Sequence, residues 1–250
     1  MHKIDFCLIL TATINPGEMP DLVRKDSNIR LDDYKKSFEF WLRKSSVSKI
    51  VLIENSDYDL SCFHDLAKKY QNKKKEVEIL SNNLNSKFDK RLGKGYGQYL
   101  CLNEVFKKSL IAKKTNYFID VTGRHCVTNF EKILKDINLN KTDIYINLSD
   151  NFKFSDANIY AGNKDFFINY IIPETSKTND VIGDIFEKCV AKAVLKAVSD
   201  GYSLSKTPVY PIIEGYIGTN GKKYKHNFFK RLKLFFFRKL KIYFLNHKKY

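Results

Sequence analysis

No Asp or Glu follows Glu214, although the chain runs on to Tyr250. The stretch from Lys222 to Tyr250 holds eleven Lys and Arg residues, so most of the formal charge of +16 belongs to the end of the chain. The first 221 residues carry 33 basic against 28 acidic side chains, an ordinary balance for a domain. No run reaches the roughly 18 uncharged apolar residues that a membrane-spanning helix needs. The opening Met1-His2-Lys3-Ile4-Asp5 leads into a short apolar run broken at Asn15 and Pro16, so neither a signal peptide nor a signal anchor is expected. There is no Cys-x-x-Cys pair. Five cysteines, at 7, 62, 101, 126 and 189, are expected as buried reduced thiols, which implies a reducing compartment and excludes a disulfide scaffold. The spacing Gly-x4-Gly-Lys-Ser/Thr is also missing, which excludes a P-loop.

What the sequence does contain is a glycine-dense segment, Gly93-Lys94-Gly95-Tyr96-Gly97-Gln98, running into apolar periodicity over Tyr99 to Leu110. Glycines permit positive φ and close approach of the backbone to a ligand. A turn that feeds a helix offers free amides and the positive end of the helix dipole to an anion, and Lys94 adds a full charge. The competing reading is a tight surface loop.

At 250 residues the chain can bury a large core, enough for one α/β domain with a terminal appendage or for two small domains. Ile4 to Ile14 reads as a buried first strand with Thr11 and Thr13 at its carboxyl end. A polar loop with Arg24 and Arg30 follows, then a helix over Asp33 to Lys44, and a second strand over Lys49 to Glu54 that ends in Glu54-Asn55-Ser56. Strand, helix, strand implies a right-handed parallel crossover, with its ligand crevice beyond the carboxyl ends of the strands. A helix is expected over Leu60 to Tyr70, strands over Val77 to Leu80 and Asn116 to Val121, and a helix over Asn129 to Ile137. Strands over Asp143 to Leu148 and Ala157 to Ala161, helices from Lys164 and over Ile182 to Val198, and an extended Tyr210 to Gly218 complete a domain of residues 1–221.

The candidate chemistry falls on one rim of this sheet. Thr122-Gly123-Arg124 places a small residue, a flexible one and a guanidinium at a strand end, a group suited to a diphosphate. The alternative for Arg124 is a surface ion pair, and for Arg24 and Arg30 simple solvation.

The succession Leu8-Ile9-Leu10-Thr11-Ala12-Thr13, Ile53-Glu54-Asn55-Ser56, Gly93-Lys94-Gly95-Tyr96-Gly97 and Val121-Thr122-Gly123-Arg124 resembles the nucleotide-sugar glycosyltransferases of GT-A fold, among them small bacterial enzymes of capsule, O-antigen and lipooligosaccharide assembly. The resemblance runs over about residues 3–220 and implies a Rossmann-type mixed, mostly parallel sheet flanked by helices. It implies a nucleotide-sugar donor, a UDP-sugar first, held by Thr11, Thr13, Arg24, Arg30, Glu54, Asn55, Ser56, Lys94, Gly95, Tyr96, Gly97, Asp120, Thr122, Gly123 and Arg124. Where the family carries an Asp-x-Asp metal motif, this chain has Asp120-Val121-Thr122, with one carboxylate. Asp120 is therefore the sole candidate ligand there for Mg²⁺ or Mn²⁺, with Asp156 as a second ligand from elsewhere, and fixed Lys and Arg charges are the other way to neutralise a leaving diphosphate. For the acceptor side the resemblance points to Gly183-Asp184-Ile185-Phe186-Glu187: Glu187 as base, Asp184 as rival base or helix cap, and His125 as alternative base or structural histidine.

Residues 222–250 are expected as a separate basic, aromatic tail. At about 100° per residue Phe229, Leu232, Phe236, Leu240 and Tyr243 share one arc, and Lys230, Arg231, Lys233, Arg238 and Lys241 lie opposite. That segregation predicts an amphipathic helix over 226–245 lying on an anionic membrane, hence a cytoplasmic enzyme peripheral to the inner face and acting on a glycan or lipid-linked acceptor. A helix docked on the domain is the structural alternative. Rival functions are a sugar-nucleotide nucleotidyltransferase and a nucleic-acid-binding protein that uses the basic tail, although no nucleic acid is expected as partner.

Overall fold

The computed structural model describes residues 4–71, 75–206 and 209–224. β1 (Phe6–Ala12) is buried along its whole length. Phe6, Leu8, Leu10 and Ala12 enter one apolar cluster, and Cys7 and Ile9 enter another on the opposite face. This is the period-2 alternation of a strand covered on both sides. α1 (Ser27–Lys44) starts well before the expected Asp33, because the Asp26 carboxylate accepts from the Ile29 amide and caps an earlier turn. Then come β2 (Lys49–Glu54), α2 (Ser61–Gln71), β3 (Glu76–Ser81), α3 (Lys94–Lys108), β4 (Tyr117–Thr122), α4 (Phe130–Asn140), β5 (Ile144–Tyr145), β6 (Ile159–Asn163), α5 (Phe186–Ser199) and β7 (Leu204–Ser205).

The sheet order is β7-β5-β6-β4-β1-β2-β3. Every strand is parallel to its neighbours except β6, which runs antiparallel between β4 and β5. α1, α2 and α4 cover one face, and α3 and α5 the other. The fold is a mixed, mostly parallel sheet between helical layers, as expected.

Other elements differ from expectation as well, α5 among them, because Asp180–Ile182 forms a separate helical turn before it. α3 begins at Lys94 and ends at Lys108, so the glycine segment is its first turn rather than a loop before it. Of the three glycines in this segment, Gly93 alone has positive φ, at 88°. Gly95 is small because a Cβ there would lie 2.6 Å from the Phe186 Cβ, so this glycine serves helix packing. The strand expected over Asp143 to Leu148 is interrupted after Tyr145, and Leu148–Ser149 pairs instead with Phe154–Ser155 in a separate hairpin. Of the extended Tyr210 to Gly218, only Ile213–Glu214 forms a strand, antiparallel to Cys126–Val127.

Hydrogen bonding continues past Gly221: Ile217 donates to the Lys222 carbonyl, and Tyr224 to that of Gly215. The expected helix over 226–245, with Phe229, Leu232, Phe236, Leu240, Lys230, Arg231 and Arg238, lies outside the described residues. Among the described residues, no helix is long and apolar enough to cross a membrane.

Candidate functional site

A cleft of about 340 Å³ opens at the carboxyl ends of β1 and β4, within the range of about 300–1,000 Å³ usual for small-molecule sites. Its floor is made by Thr11, Thr13 and Thr122, one wall by Lys94, Gly95, Gly97 and Gln98 on the opening turns of α3, and the other walls by Arg30, Arg124, Asp180, Glu187 and the segment around Gly218 and Tyr224. The strand ends meet this closely because residue 123 is glycine. Its amide donates to the Thr11 carbonyl at 2.9 Å, and a Cβ would stand 2.5 Å from that same oxygen. Gly123 thus lies under the cleft, and it aims the adjacent Thr122 and Arg124 into it.

Two guanidinium groups give the cleft a cationic wall. Arg30 is 4% exposed, and its hydrogen bonds go only to neutral acceptors: the Thr13 carbonyl (2.7 Å), the Arg24 carbonyl (3.1 Å) and the Tyr34 hydroxyl (3.1 Å). Burial lowers its pKa, and Arg124 and Arg24 lower it further, against the opposing effects of Tyr34 and Asp33. Arg124 donates to the Tyr216 carbonyl at 3.3 Å. A buried cation held by carbonyls beside a second cation is an arrangement that an anion would relieve.

Carboxylates stand elsewhere on the same cleft. Asp180 lies in the segment that leads into α5, and its pKa is raised by burial, opposed by Lys94 and reinforced by Glu187 and Asp21. Glu187, in the first turn of α5, lines the cleft with it.

Other sequence candidates lie elsewhere. Arg24 is held by Asp33 through two hydrogen bonds (2.5 and 2.9 Å) and stacks 4.0 Å over the Tyr216 ring. Glu54 is fully buried and accepts from the amides of Ile14, Ser56 and Tyr58 and from the Ser56 hydroxyl, so it ties together the loops after β1 and β2. Ser56 also accepts from the Asn15 amide. Asn55 is buried and donates to the Gly97 carbonyl, and Tyr96 packs on Phe88 and Tyr99. Asp184 precedes α5 without capping it: its carboxylate pairs with Lys192, and its backbone bridges to Asn179. His125 is 1% exposed, its ring set edge-on to Tyr224, its carbonyl accepting from Ser37 and Trp41, and burial holds its pKa well below the usual histidine value.

Asp120 bears on the question of metal. It is fully buried, behind the cleft, and its Oδ2 accepts from Gln98 Nε2 at 3.0 Å. Asp156 accepts instead from Asn158, and among the described residues no three His, Cys, Asp or Glu side chains gather as a metal-binding group. Mg²⁺ and Mn²⁺ need ionised oxygen donors that also reach substrate phosphates. A lone carboxyl, fully buried behind the cleft and engaged by Gln98, does not fit that need.

Three cleft residues escape the sequence reading. Asp180 sits in a stretch whose only visible signal is the turn composition around Asn179 and Gly183. Asn85 is buried, with its Nδ2 donating to the Asn15 carbonyl and its Oδ1 without a hydrogen-bond partner among the described residues. Gln98 closes the glycine segment, and helical spacing from Lys94 was the available clue to its direction.

No protein-family model matches the sequence, and no curated protein matches it. Among solved structures, the chain is similar to the glycosyltransferase GlyE of Streptococcus pneumoniae TIGR4 at 12% identity and a TM-score of 0.49, over 81% of this chain and 45% of that one. It is similar to the mannosyltransferase PcManGT of Pyrobaculum calidifontis, solved with GDP-Man and Mn²⁺, at 9% identity and a TM-score of 0.46, over 82% and 55%. A cytidylyltransferase from Leptospira borgpetersenii serovar Hardjo-bovis matches at 11% identity and a TM-score of 0.42, over 84% and 76%.

Proposed function

We propose that this chain is a glycosyltransferase that moves a sugar from a nucleotide-sugar donor, a UDP-sugar first, to a hydroxyl of a lipid-linked bacterial surface glycan. The observation that carries the reading is the pair of buried Arg30 and half-buried Arg124, neither with a carboxylate partner among the described residues, at the carboxyl ends of β1 and β4, on a cleft that also holds Lys94 and the start of α3. A departing nucleoside diphosphate needs its developing charge neutralised, and two guanidiniums, an ammonium and a helix amino end supply that where it develops. Glu187 takes the proton of the attacking hydroxyl, with Asp180 as the second carboxylate on the cleft. No step runs through a divalent cation, since Asp120 does not fit one. The basic, aromatic segment after residue 224 holds the enzyme on the cytoplasmic membrane face, beside such an acceptor.

The test is a thermal-shift screen against UDP-, GDP-, CMP- and dTDP-sugars, followed by product analysis with the one that binds. A ligand at about 100 times its dissociation constant should stabilise by roughly 2.7 kcal/mol. Release of a nucleoside phosphate with sugar transfer supports the proposal. Conversion of the nucleotide sugar and added pyrophosphate into a nucleoside triphosphate and a sugar 1-phosphate instead makes the protein a nucleotidyltransferase, and no stabilisation by any nucleotide sugar rejects both.

A further inference from the structure

Asp120 stands at the strand position where the resemblance places a metal carboxylate, yet the cleft does not reach it. Between them lies Gln98. Its Nε2 donates to Asp120 Oδ2 at 3.0 Å, and the residue itself lines the cleft. A side-chain amide has one donor end and one acceptor end, so anchoring the donor end fixes what the other presents. Gln98 Oε1 makes no hydrogen bond to any described residue. Cys101, a turn further along α3, and Tyr160 of β6 enclose the carboxyl on its other sides, and both are neutral, buried groups.

We infer that Asp120 is a positioning residue, not a metal ligand: it locks the Gln98 amide so that Oε1 faces the cleft as a fixed acceptor, which makes Gln98 a specificity-determining residue for a ligand hydroxyl. The nature of the ligand rests on the nucleotide-sugar reading, but the Asp120–Gln98 couple does not. A hydroxyl that can donate fits the fixed oxygen, and a ligand that brings a bare acceptor to the same place is repelled. The hydroxyl belongs either to the ribose or to the transferred sugar, which UDP and UDP-glucose separate as probes.

Two measurements on the full chain test this. In ¹⁵N-labelled protein, the Gln98 side-chain NH₂, assigned by its loss in Gln98→Ala, should exchange with solvent about fivefold or more slowly than exposed glutamines. Exchange should speed up in Asp120→Ala and slow again in Asp120→Asn, whose Oδ1 still accepts. Dissociation constants for UDP and UDP-glucose are then measured in EDTA and in Mn²⁺. Gln98→Ala and Asp120→Ala should each weaken at least one probe by roughly three- to tenfold, and the double variant should be no worse than either, because Asp120 acts through Gln98. Weakening of both probes assigns the hydroxyl to the ribose, and weakening of UDP-glucose alone assigns it to the sugar.

A Gln98 amide that exchanges freely, or that ignores Asp120→Ala, overturns the couple whatever the ligand. Binding of both probes that is indifferent to Gln98→Ala overturns the specificity role. A gain of tenfold or more from Mn²⁺ that Asp120→Asn abolishes makes Asp120 a metal ligand after all. A protected amide with no binding of either probe supports the couple and counts against the UDP-sugar reading alone.

Discussion

The carboxylate of Asp180 occupies the space that a side chain on residue 93 would need. Gly93 ends a short helical turn over Lys90–Leu92 with φ at 88° and opens α3, so it carries both a backbone conformation costly for other residues and the floor under a cleft carboxylate. Gly93→Ala is expected to destabilise the protein by about 1–3 kcal/mol, the scale of a non-glycine residue held at such a φ, and to displace Asp180. Chemical denaturation measures the first effect. Unchanged stability would show that the turn at residue 93 is not held as described.

The arginines should separate by their partners. Arg30→Ala and Arg124→Ala are expected to weaken nucleoside diphosphate binding by roughly 1.5–3 kcal/mol each, the scale of charge-assisted hydrogen bonds, and Lys94→Ala likewise. Arg24→Ala should cost little affinity, because Arg24 is already neutralised by Asp33. Calorimetric titration of the four variants decides it, and equal losses for Arg24 and Arg124 would contradict the assignment of the cationic wall.

On the acceptor side, Glu187→Gln should lower turnover by about 10²- to 10⁴-fold with donor affinity nearly intact. Asp184→Asn should leave turnover close to wild type, since its carboxylate is engaged by Lys192. Steady-state kinetics with saturating donor distinguish the two, and the reverse ranking would remove Glu187 from the mechanism.

The pH dependence of stability should carry the mark of Asp120. Burial, opposed by the Gln98 hydrogen bond and the nearby Tyr160 hydroxyl, pushes its pKa from 3.8 up to about 7. Between those values the unfolded chain has released the proton while the folded chain still holds it. Its contribution is therefore fully present below pH 3.8 and is lost as pH rises to about 7, at up to roughly 1.4 kcal/mol per pH unit. The gap in unfolding free energy between Asp120→Asn and wild type should widen in favour of the variant over that window and stay level above it. Carboxylates with lowered pKa, such as Asp143 and Glu174, act equally in both proteins and cancel. A gap independent of pH would show that Asp120 ionises normally in the folded state.

A chain ending after residue 225 should stay folded and bind nucleotide, because hydrogen bonding reaches Tyr224, whose hydroxyl donates to Asn158. It should lose sedimentation with anionic liposomes, where each basic group is worth about 1 kcal/mol. Equal liposome binding by both lengths rules out the anchor, and a truncated chain that unfolds shows that the segment belongs to the core.

The central strands are legible in the sequence because strands covered on both faces read as continuous apolar runs, as Phe6 to Leu10 and Ile50 to Ile53 do. The rim is legible for the same reason: once the strands are placed, Thr11, Thr122 and Arg124 follow at their ends. What cannot be read are contacts across distant segments. Gly95 looks like a loop residue, but its smallness serves the approach of Phe186, which sequence spacing does not reveal. Arg24 and Arg30 look equivalent as basic residues of one region, and only the placement of Asp33 and Tyr34 separates a neutralised cation from one available to an anion. Glu54 has the chemistry of a ligand contact, but the amides around it recruit it to hold two loops together.

The position of β1 between β2 and β4 also bears on how the chain comes to be folded. The partner of one edge of β1, Lys49 to Glu54, is synthesised soon after it, but the partner of its other edge, Tyr117 to Thr122, only much later. Until then a strand whose seven residues are all destined for burial presents an unpaired apolar edge. Fragments ending before residue 117 should therefore be the aggregation-prone ones, and release of the nascent chain from holding chaperones should wait until β4 has emerged.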